Sequence, residues 1–216
     1  MSQDLSSISK NIKNGGKERR EVSNTRYIAA TGMLSAVAFL LMFFDFSVPF
    51  MPSFIKLDIS ELPALIGSFA MGPFYGVLIC LVKNLLHLIR TSTGGVGELS
   101  NFIMGALLVF PAGLLYQKNK NRKTAALGTF VGIIVMALVS IPVNYFITYP
   151  FYTNFMPLDT IISMYQAILP SADSLLKCLV IFNVPFNIMK GLLVFMITML
   201  VYKKVSPIIK GISKNR

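Results

Sequence analysis

The chain has 216 residues, of which 54% are hydrophobic and only 13% are charged. Soluble domains carry about 25% charged residues, so the composition excludes an ordinary water-soluble protein and predicts a membrane protein. The formal net charge of +11 is large enough for a nucleic-acid-binding protein. The distribution of that charge along the chain argues against this function.

Most of the positive charge lies in three short segments. Fifteen of the twenty Lys and Arg residues belong to the tail 1–26, to Lys118–Lys123 or to Lys203–Arg216, and these segments contain only three acidic residues. Cytoplasmic loops of membrane proteins carry this excess of Lys and Arg. The pattern therefore predicts that all three segments, including both termini, are cytoplasmic.

That orientation requires six transmembrane helices. Five uncharged or nearly uncharged runs approach or exceed the roughly 20 residues that a spanning helix needs. The run Leu62–Val82 contains Gly72-Pro73, and proline ends or kinks a helix, so we divide this run into two short helices. The predicted fold is an all-α membrane protein with spans at Tyr27–Phe44, Ile59–Met71, Pro73–Ile89, Glu98–Tyr116, Lys123–Thr148 and Cys178–Lys203.

The predicted domain organisation has three parts. A basic cytoplasmic tail covers residues 1–26, a six-helix transmembrane domain covers 27–204, and a second basic tail covers 205–216. Two extracellular segments, 45–58 and 149–177, either cover a pocket or only connect helices. The second of them contains a predicted amphipathic helix near Thr160–Leu169.

Lys190 lies in the middle of the otherwise uncharged run Cys178–Tyr202. A charge at membrane depth is costly and usually marks a functional site. Asn187 and Asn183 precede Lys190 by three and seven residues, so one helix face presents all three groups. We expect this face to line a cavity.

Polar residues of other helices are predicted at the same depth, which indicates a small-molecule pocket. They are Asp58, Glu61, Lys83, Asn84, His87, Glu98, Asn101 and Asn144. Structural roles remain open for several of them: Asn183 as an interhelical hydrogen-bonding residue, Glu98 as a helix-terminus acid, and Lys83, His87 and Arg90 as interfacial side chains.

The motifs argue against an enzyme. The chain contains no phosphate-binding loop of the Walker type and no nucleophile–base arrangement of a hydrolase. His87 has no second ligand at metal-binding spacing, so we expect no metal site.

Two groups of motifs carry a resemblance to a known family. The stretch Phe54–Pro63, together with Met71-Gly72-Pro73 and Leu81–Leu86, resembles the substrate-binding (S) component of energy-coupling factor (ECF) vitamin transporters. The stretches Val143–Phe146 and Pro185–Gly191 are similar to the riboflavin-specific branch of that family, the RibU type.

The resemblance implies a protein that captures riboflavin outside the cell and delivers it with a membrane scaffold subunit, EcfT, and two cytoplasmic ATPases. Riboflavin is then cargo rather than a cofactor. The resemblance assigns Asn144, Asn187 and Lys190 to the flavin ring. Phe54 is expected to cover the ring, and Asn101 to contact the polyhydroxyl chain.

The resemblance also assigns a partner contact to the first helix. The family carries Ala-x-x-x-Ala there, and this chain has Gly32 and Ala36 at the matching positions. Two small residues four apart still permit close helix approach. Packing of the same pair within the chain is the alternative.

Other functions remain open at this point. The cargo is alternatively another vitamin or a flavin nucleotide, although a phosphate-bearing cargo requires a basic cluster. A membrane interaction protein without cargo is a second alternative. That protein would need Lys190 paired internally, for instance with Glu61 or Glu98.

Overall fold

The computed structural model describes residues 25–52, 55–91 and 93–213, and most of this part of the chain is helical. Five single helices are α1 (Thr25–Met42), α2 (Glu61–Met71), α3 (Pro73–His87), α4 (Val96–Lys118) and α6 (Leu158–Gln166). The long helix α5 consists of Arg122–Val143, a π-helical segment Asn144–Thr148 and a last turn Tyr149–Tyr152. The last helix, α7, consists of Leu175–Cys178, a π-helical segment Leu179–Asn183 and Val184–Ser213.

The predicted six-helix architecture is confirmed. Helices α1, α3, α4, α5 and α7 are each long and apolar enough to cross a membrane, and α2 is a shorter apolar helix of 11 residues. Most observed ends differ by a few residues from the predicted ones; for example, α5 continues to Tyr152 and α7 begins at Leu175. However, α7 continues to Ser213, ten residues past the predicted end at Lys203 and into the predicted C-terminal tail.

The break between α2 and α3 lies at the predicted position. Gly72 has φ +119° and ψ +165°, a backbone conformation that strongly favours glycine, and Pro73 is the first residue of α3. The amide of Gly72 donates to the carbonyl of Ser68 at 3.0 Å, which ends α2 cleanly. The chain therefore passes from α2 into α3 without a loop.

Helix α4 lies at the centre of the bundle and packs against α2, α3 and α5, while α7 packs against α5 and α2. Gly128 and Gly132 bring α5 very close to α4. A Cβ placed at Gly132 would lie 2.2 Å from the carbonyl oxygen of Leu108, and one at Gly128 would lie 2.7 Å from that of Ala112. Only glycine fits there, because the two backbones approach each other directly.

Two of the segments that connect the helices contain short elements of their own. Strands β1 (Phe46–Ser47) and β2 (Lys56–Leu57) pair antiparallel between α1 and α2. Between α5 and α7, helix α6 corresponds to the predicted amphipathic helix. It buries Ile161 and Tyr165 against a separate apolar cluster that includes Phe182.

The contact between α4 and α5 can be tested with Gly132→Ala. The added methyl group would overlap the Leu108 carbonyl, so we expect a loss of roughly 1–3 kcal/mol, measured as a lower melting temperature in detergent. Gly32→Ala is the matched control, because a Cβ there meets no atom within 4 Å. Equal melting temperatures for the two variants would contradict the close approach.

Candidate functional site

Four charged side chains form a buried cluster where α2, α3 and α7 meet. Lys190 Nζ lies 3.0 Å from Asp58 Oδ2 and 3.1 Å from Glu61 Oε1. Lys83 Nζ lies 3.0 Å from the same oxygen of Glu61 and also donates to Ser60 Oγ. We call Asp58, Glu61, Lys83 and Lys190 the charge cluster; its two cations and two anions balance.

The start of α2 positions the acids of this cluster. Asp58 directly follows β2, and its Oδ1 accepts the backbone N–H of Ser60 at 2.8 Å, which holds the turn that begins α2. Its other oxygen also accepts from Asn101 Nδ2 of α4 at 3.2 Å. Asp58 therefore ties the first connecting segment to both α4 and α7.

Next to the charge cluster lies a cavity of about 120 Å³, which we call the amide cavity. Lys190 is the cluster residue that lines it, and four asparagines from three helices line it as well: Asn101, Asn144, Asn183 and Asn187. A carboxamide both donates and accepts hydrogen bonds, so the cavity can pair with both donors and acceptors of a ligand. Phe186 and Met104 supply apolar surface.

The π-helical segments explain how two long helices present so many polar groups at one level. Asn144 begins the segment in α5, and Asn183 ends the segment in α7. A π-helical turn contains an extra residue and rotates the side chains that follow it. In α5 this rotation places Asn144, Thr148 and Tyr149 together on the cavity wall.

A hydroxyl network closes the cavity on the side of α6. Tyr165 of α6 donates to Asn183 Oδ1 at 3.0 Å and also bonds to the hydroxyl of Tyr149. The amide of Asn183 lies 3.5 Å from the same Tyr149 oxygen. Helix α6 is therefore hydrogen-bonded to two residues of the cavity wall, Tyr149 and Asn183.

A second cavity, of about 290 Å³, adjoins the first, and we call it the charged cavity. Lys56, Gly97 and Asn101 line both cavities. Four of the ionisable side chains around it form pairs, Lys56 with Asp45 at 2.9 Å and His87 with Glu98 at 2.9 Å, while Arg90 also lines the cavity and lies over the ring of Phe43.

Pockets for drug-sized ligands measure roughly 300–1,000 Å³, so the amide cavity alone is small for such a ligand. A ligand of that size would extend across the shared wall into the charged cavity. The wall is formed in part by Lys56 and Asn101.

The structure brings most predicted site residues together. Asn101, Asn144, Asn187 and Lys190 all line the amide cavity, as expected from their depth. Phe54 lies outside the described residues.

The structure also shows which of the structural roles left open by the sequence apply to Lys83, Glu98 and Arg90. Lys83 is fully buried in the charge cluster instead of reaching toward an interface, and Glu98 accepts hydrogen bonds from His87, Thr91 and Thr93 rather than only marking a helix terminus. Arg90 is exposed and lies 5.1 Å above the ring of Phe43.

Gly32 and Ala36 lie on an exposed face of α1. A Cβ placed at Gly32 meets no atom within 4 Å, so this position does not serve close helix packing within the described part of the chain. The face also exposes Met33, Val37 and Leu40.

Sequence reasoning missed Ser100, Thr148 and Tyr149 as cavity residues. The amide of Asn144 is linked to Ser100, whose Oγ lies 3.5 Å from Asn144 Oδ1. The spacing of four residues between Asn144 and Thr148 was a usable signal, because such residues share a helix face. Tyr149 gave no such signal, since its position depends on the π-helical turn.

Comparison with known proteins gives a consistent family. A model of the family described as "ECF transporter, substrate-specific component" matches residues 26–202. A solved structure of the S component of a bacterial ECF transporter superimposes with a TM-score of 0.67 at 30% identity, covering 87% of this chain and 99% of that one.

Similar curated proteins carry names that agree with each other. The riboflavin transporter RibU of Staphylococcus aureus (strain TCH60) is 31% identical over 91% of this chain and 99% of its own length. The riboflavin transporter FmnP of Bacillus subtilis (strain 168) is 32% identical over 83% of this chain and 92% of its own. The chain therefore belongs to the family of substrate-specific components of ECF transporters.

Proposed function

We propose that this chain binds riboflavin in the amide cavity and acts as the S component for its uptake. Relatives that are 31–32% identical and named riboflavin transporters support the choice of cargo. The observation that carries the proposal is the convergence of Asn144, Asn187 and Lys190 on one cavity. The dione edge of a flavin offers two acceptors and an N–H, which two carboxamides and an ammonium can pair.

The proposed roles within the site follow from this chemistry. Asn144 and Asn187 pair with the dione edge, Lys190 donates to a ring carbonyl or nitrogen, and Asn101 contacts the polyhydroxyl chain. Phe54 covers the ring in this proposal, on the strength of the family resemblance alone. Riboflavin is the cargo, and the chain uses no cofactor of its own.

The proposed assembly includes a membrane scaffold subunit of the EcfT type and two ATPases that hydrolyse ATP for the chain. The basic segments 1–26, Lys118–Lys123 and Lys203–Arg216 support a cytoplasmic position of both termini and of the α4–α5 loop. The same distribution of Lys and Arg supports the division into a basic tail, a transmembrane domain over 27–204 and a C-terminal tail. The amide cavity then opens toward the outside of the cell.

A membrane interaction protein without cargo is the second candidate, and one observation favours it. Lys190 is paired internally with Asp58 and Glu61, which is the arrangement that such a protein would need. Membership of the substrate-specific family argues for a cargo instead. Binding measurements distinguish the two functions directly.

We expect the purified protein to quench riboflavin fluorescence, and Lys190→Met to weaken binding by about 1–2 kcal/mol, roughly the worth of a charge-assisted hydrogen bond. Lys83→Met is the matched control, because it removes one cation from the same charge cluster but does not line the amide cavity. Both variants should lose thermal stability, since each leaves the two buried carboxylates of the cluster with only one cation. Unchanged affinity in Lys190→Met, or an equal loss in Lys83→Met, would remove Lys190 from the ligand contact.

The charge balance of the site predicts the preference between flavins. Lys190 and Lys83 are neutralised by Asp58 and Glu61, and Lys56 by Asp45. Arg90 is left to pair with a phosphate in the charged cavity, but Asp45, Asp58 and Glu98 line the same cavity and oppose an added anion. We expect flavin mononucleotide to bind about tenfold more weakly than riboflavin, or worse, in competition titrations. Equal affinities would favour a flavin nucleotide as the cargo.

The exposed face of α1 is the proposed scaffold contact. Ala36→Phe should leave the riboflavin Kd unchanged but reduce riboflavin uptake by cells and co-purification with the scaffold subunit, because a large side chain prevents close helix approach. Leu127→Phe, at an exposed position of α5, is the control and should retain uptake. Full uptake with Ala36→Phe would place the scaffold contact elsewhere.

A further inference from the structure

Thr148 differs from the other buried threonines of the described chain. Thr31, Thr129 and Thr198 each donate their hydroxyl to the carbonyl four residues earlier, at 2.7–2.8 Å. The hydroxyl of Thr148 is buried and has no hydrogen-bond partner among the described residues. Buried polar groups in native proteins are nearly always paired, so this group requires an explanation.

The π-helical segment of α5 explains why the usual bond is missing. The carbonyl four residues before Thr148 belongs to Asn144, and it accepts the backbone N–H of Tyr149 rather than that of Thr148. This bond spans five residues, which widens the turn. The Thr148 hydroxyl is thereby left without a partner in the described chain, on a residue that lines the amide cavity.

A second unpaired atom lies on the same cavity. Asn101 donates its amide nitrogen to Asp58 Oδ2 at 3.2 Å, and a carboxylate can only accept, so the orientation of the carboxamide is fixed. Its Oδ1 is then an acceptor that is buried without a partner in the described part of the chain. The other two buried unpaired atoms, on Glu61 and Asn84, belong to residues that do not line the cavity.

We infer that Thr148 Oγ1 and Asn101 Oδ1 bind hydroxyl groups of the ligand's polyol chain. Asn101 Oδ1 requires a donor, while Thr148 can donate and accept. A hydroxyl group satisfies both atoms, whereas a ring carbonyl cannot donate to Asn101, and the ring N–H is assigned to the carboxamides of Asn144 and Asn187 in the proposed function. The inference rests on the proposed function, because it is riboflavin that carries a polyhydroxyl chain, and it adds Thr148 as a specificity-determining residue.

The test compares two flavins on two variants of the full-length protein. Riboflavin carries the polyol chain, and lumiflavin has the same ring with a methyl group in its place. Thr148→Val keeps the side-chain shape without the hydroxyl, and Thr148→Ser keeps the hydroxyl. We expect Thr148→Val to bind riboflavin roughly three- to tenfold more weakly and lumiflavin unchanged, with Thr148→Ser close to wild type for both.

A stability measurement separates a ligand contact from a structural role. Because Thr148→Val removes an unpaired buried hydroxyl, the melting temperature of its ligand-free form should stay the same or rise while riboflavin affinity falls. Thr129→Val is the matched control, since its hydroxyl is bonded within α5, away from the cavity, and its riboflavin affinity should not change.

Two results would overturn the inference while leaving the proposed function intact. One is unchanged riboflavin affinity in Thr148→Val; the other is an equal loss for riboflavin and lumiflavin, which would assign Thr148 to the ring. A wild-type protein that binds neither flavin would instead reject the proposed function itself.

Discussion

The buried charge cluster is the interaction on which the rest of the site depends. Two lysines and two carboxylates cannot be hydrated in the middle of an apolar bundle, so they are tolerable only when paired with each other. Their pairing brings α2, α3, α7 and the segment before α2 to one point. Lys190 belongs both to this cluster and to the wall of the amide cavity. The ion pairs that offset the cost of burying Lys190 therefore also hold Lys190 on the cavity wall.

The two halves of α5 serve different purposes. At Gly128 and Gly132 the helix lies directly against the backbone of α4, and this contact leaves no room for adjustment. Beyond Val143 the helix changes to a π-helical turn, which exposes Asn144 and Thr148 to the cavity. The close contact at Gly128 and Gly132 thus supports the irregular, polar segment that follows Val143. Irregular backbone at membrane depth is tolerated where it lines a cavity rather than lipid.

The charge cluster also connects the cavity to the first connecting segment. Asp58 follows β2 directly, and it accepts from both Lys190 and Asn101. The ammonium of Lys190 has three N–H donors, of which Asp58 and Glu61 accept two, so the third can bind a ligand while the ion pairs stay intact. The neighbouring charged cavity gives a larger ligand room to extend past Asn101.

The sequence by itself determined the membrane class, the six spanning helices and the depth of the polar residues. Hydrophobic length and the Gly72-Pro73 break act locally, so no tertiary information was needed for them. It also marked Lys190, Asn187 and Asn144, because a polar group in an apolar run is conspicuous. The partners of Lys190 were decided only by tertiary structure, since Asp58 lies 132 positions away along the chain. The structure likewise decided that the hydroxyl of Thr148 is unpaired, because this depends on a π-helical turn that no local pattern of residues predicts.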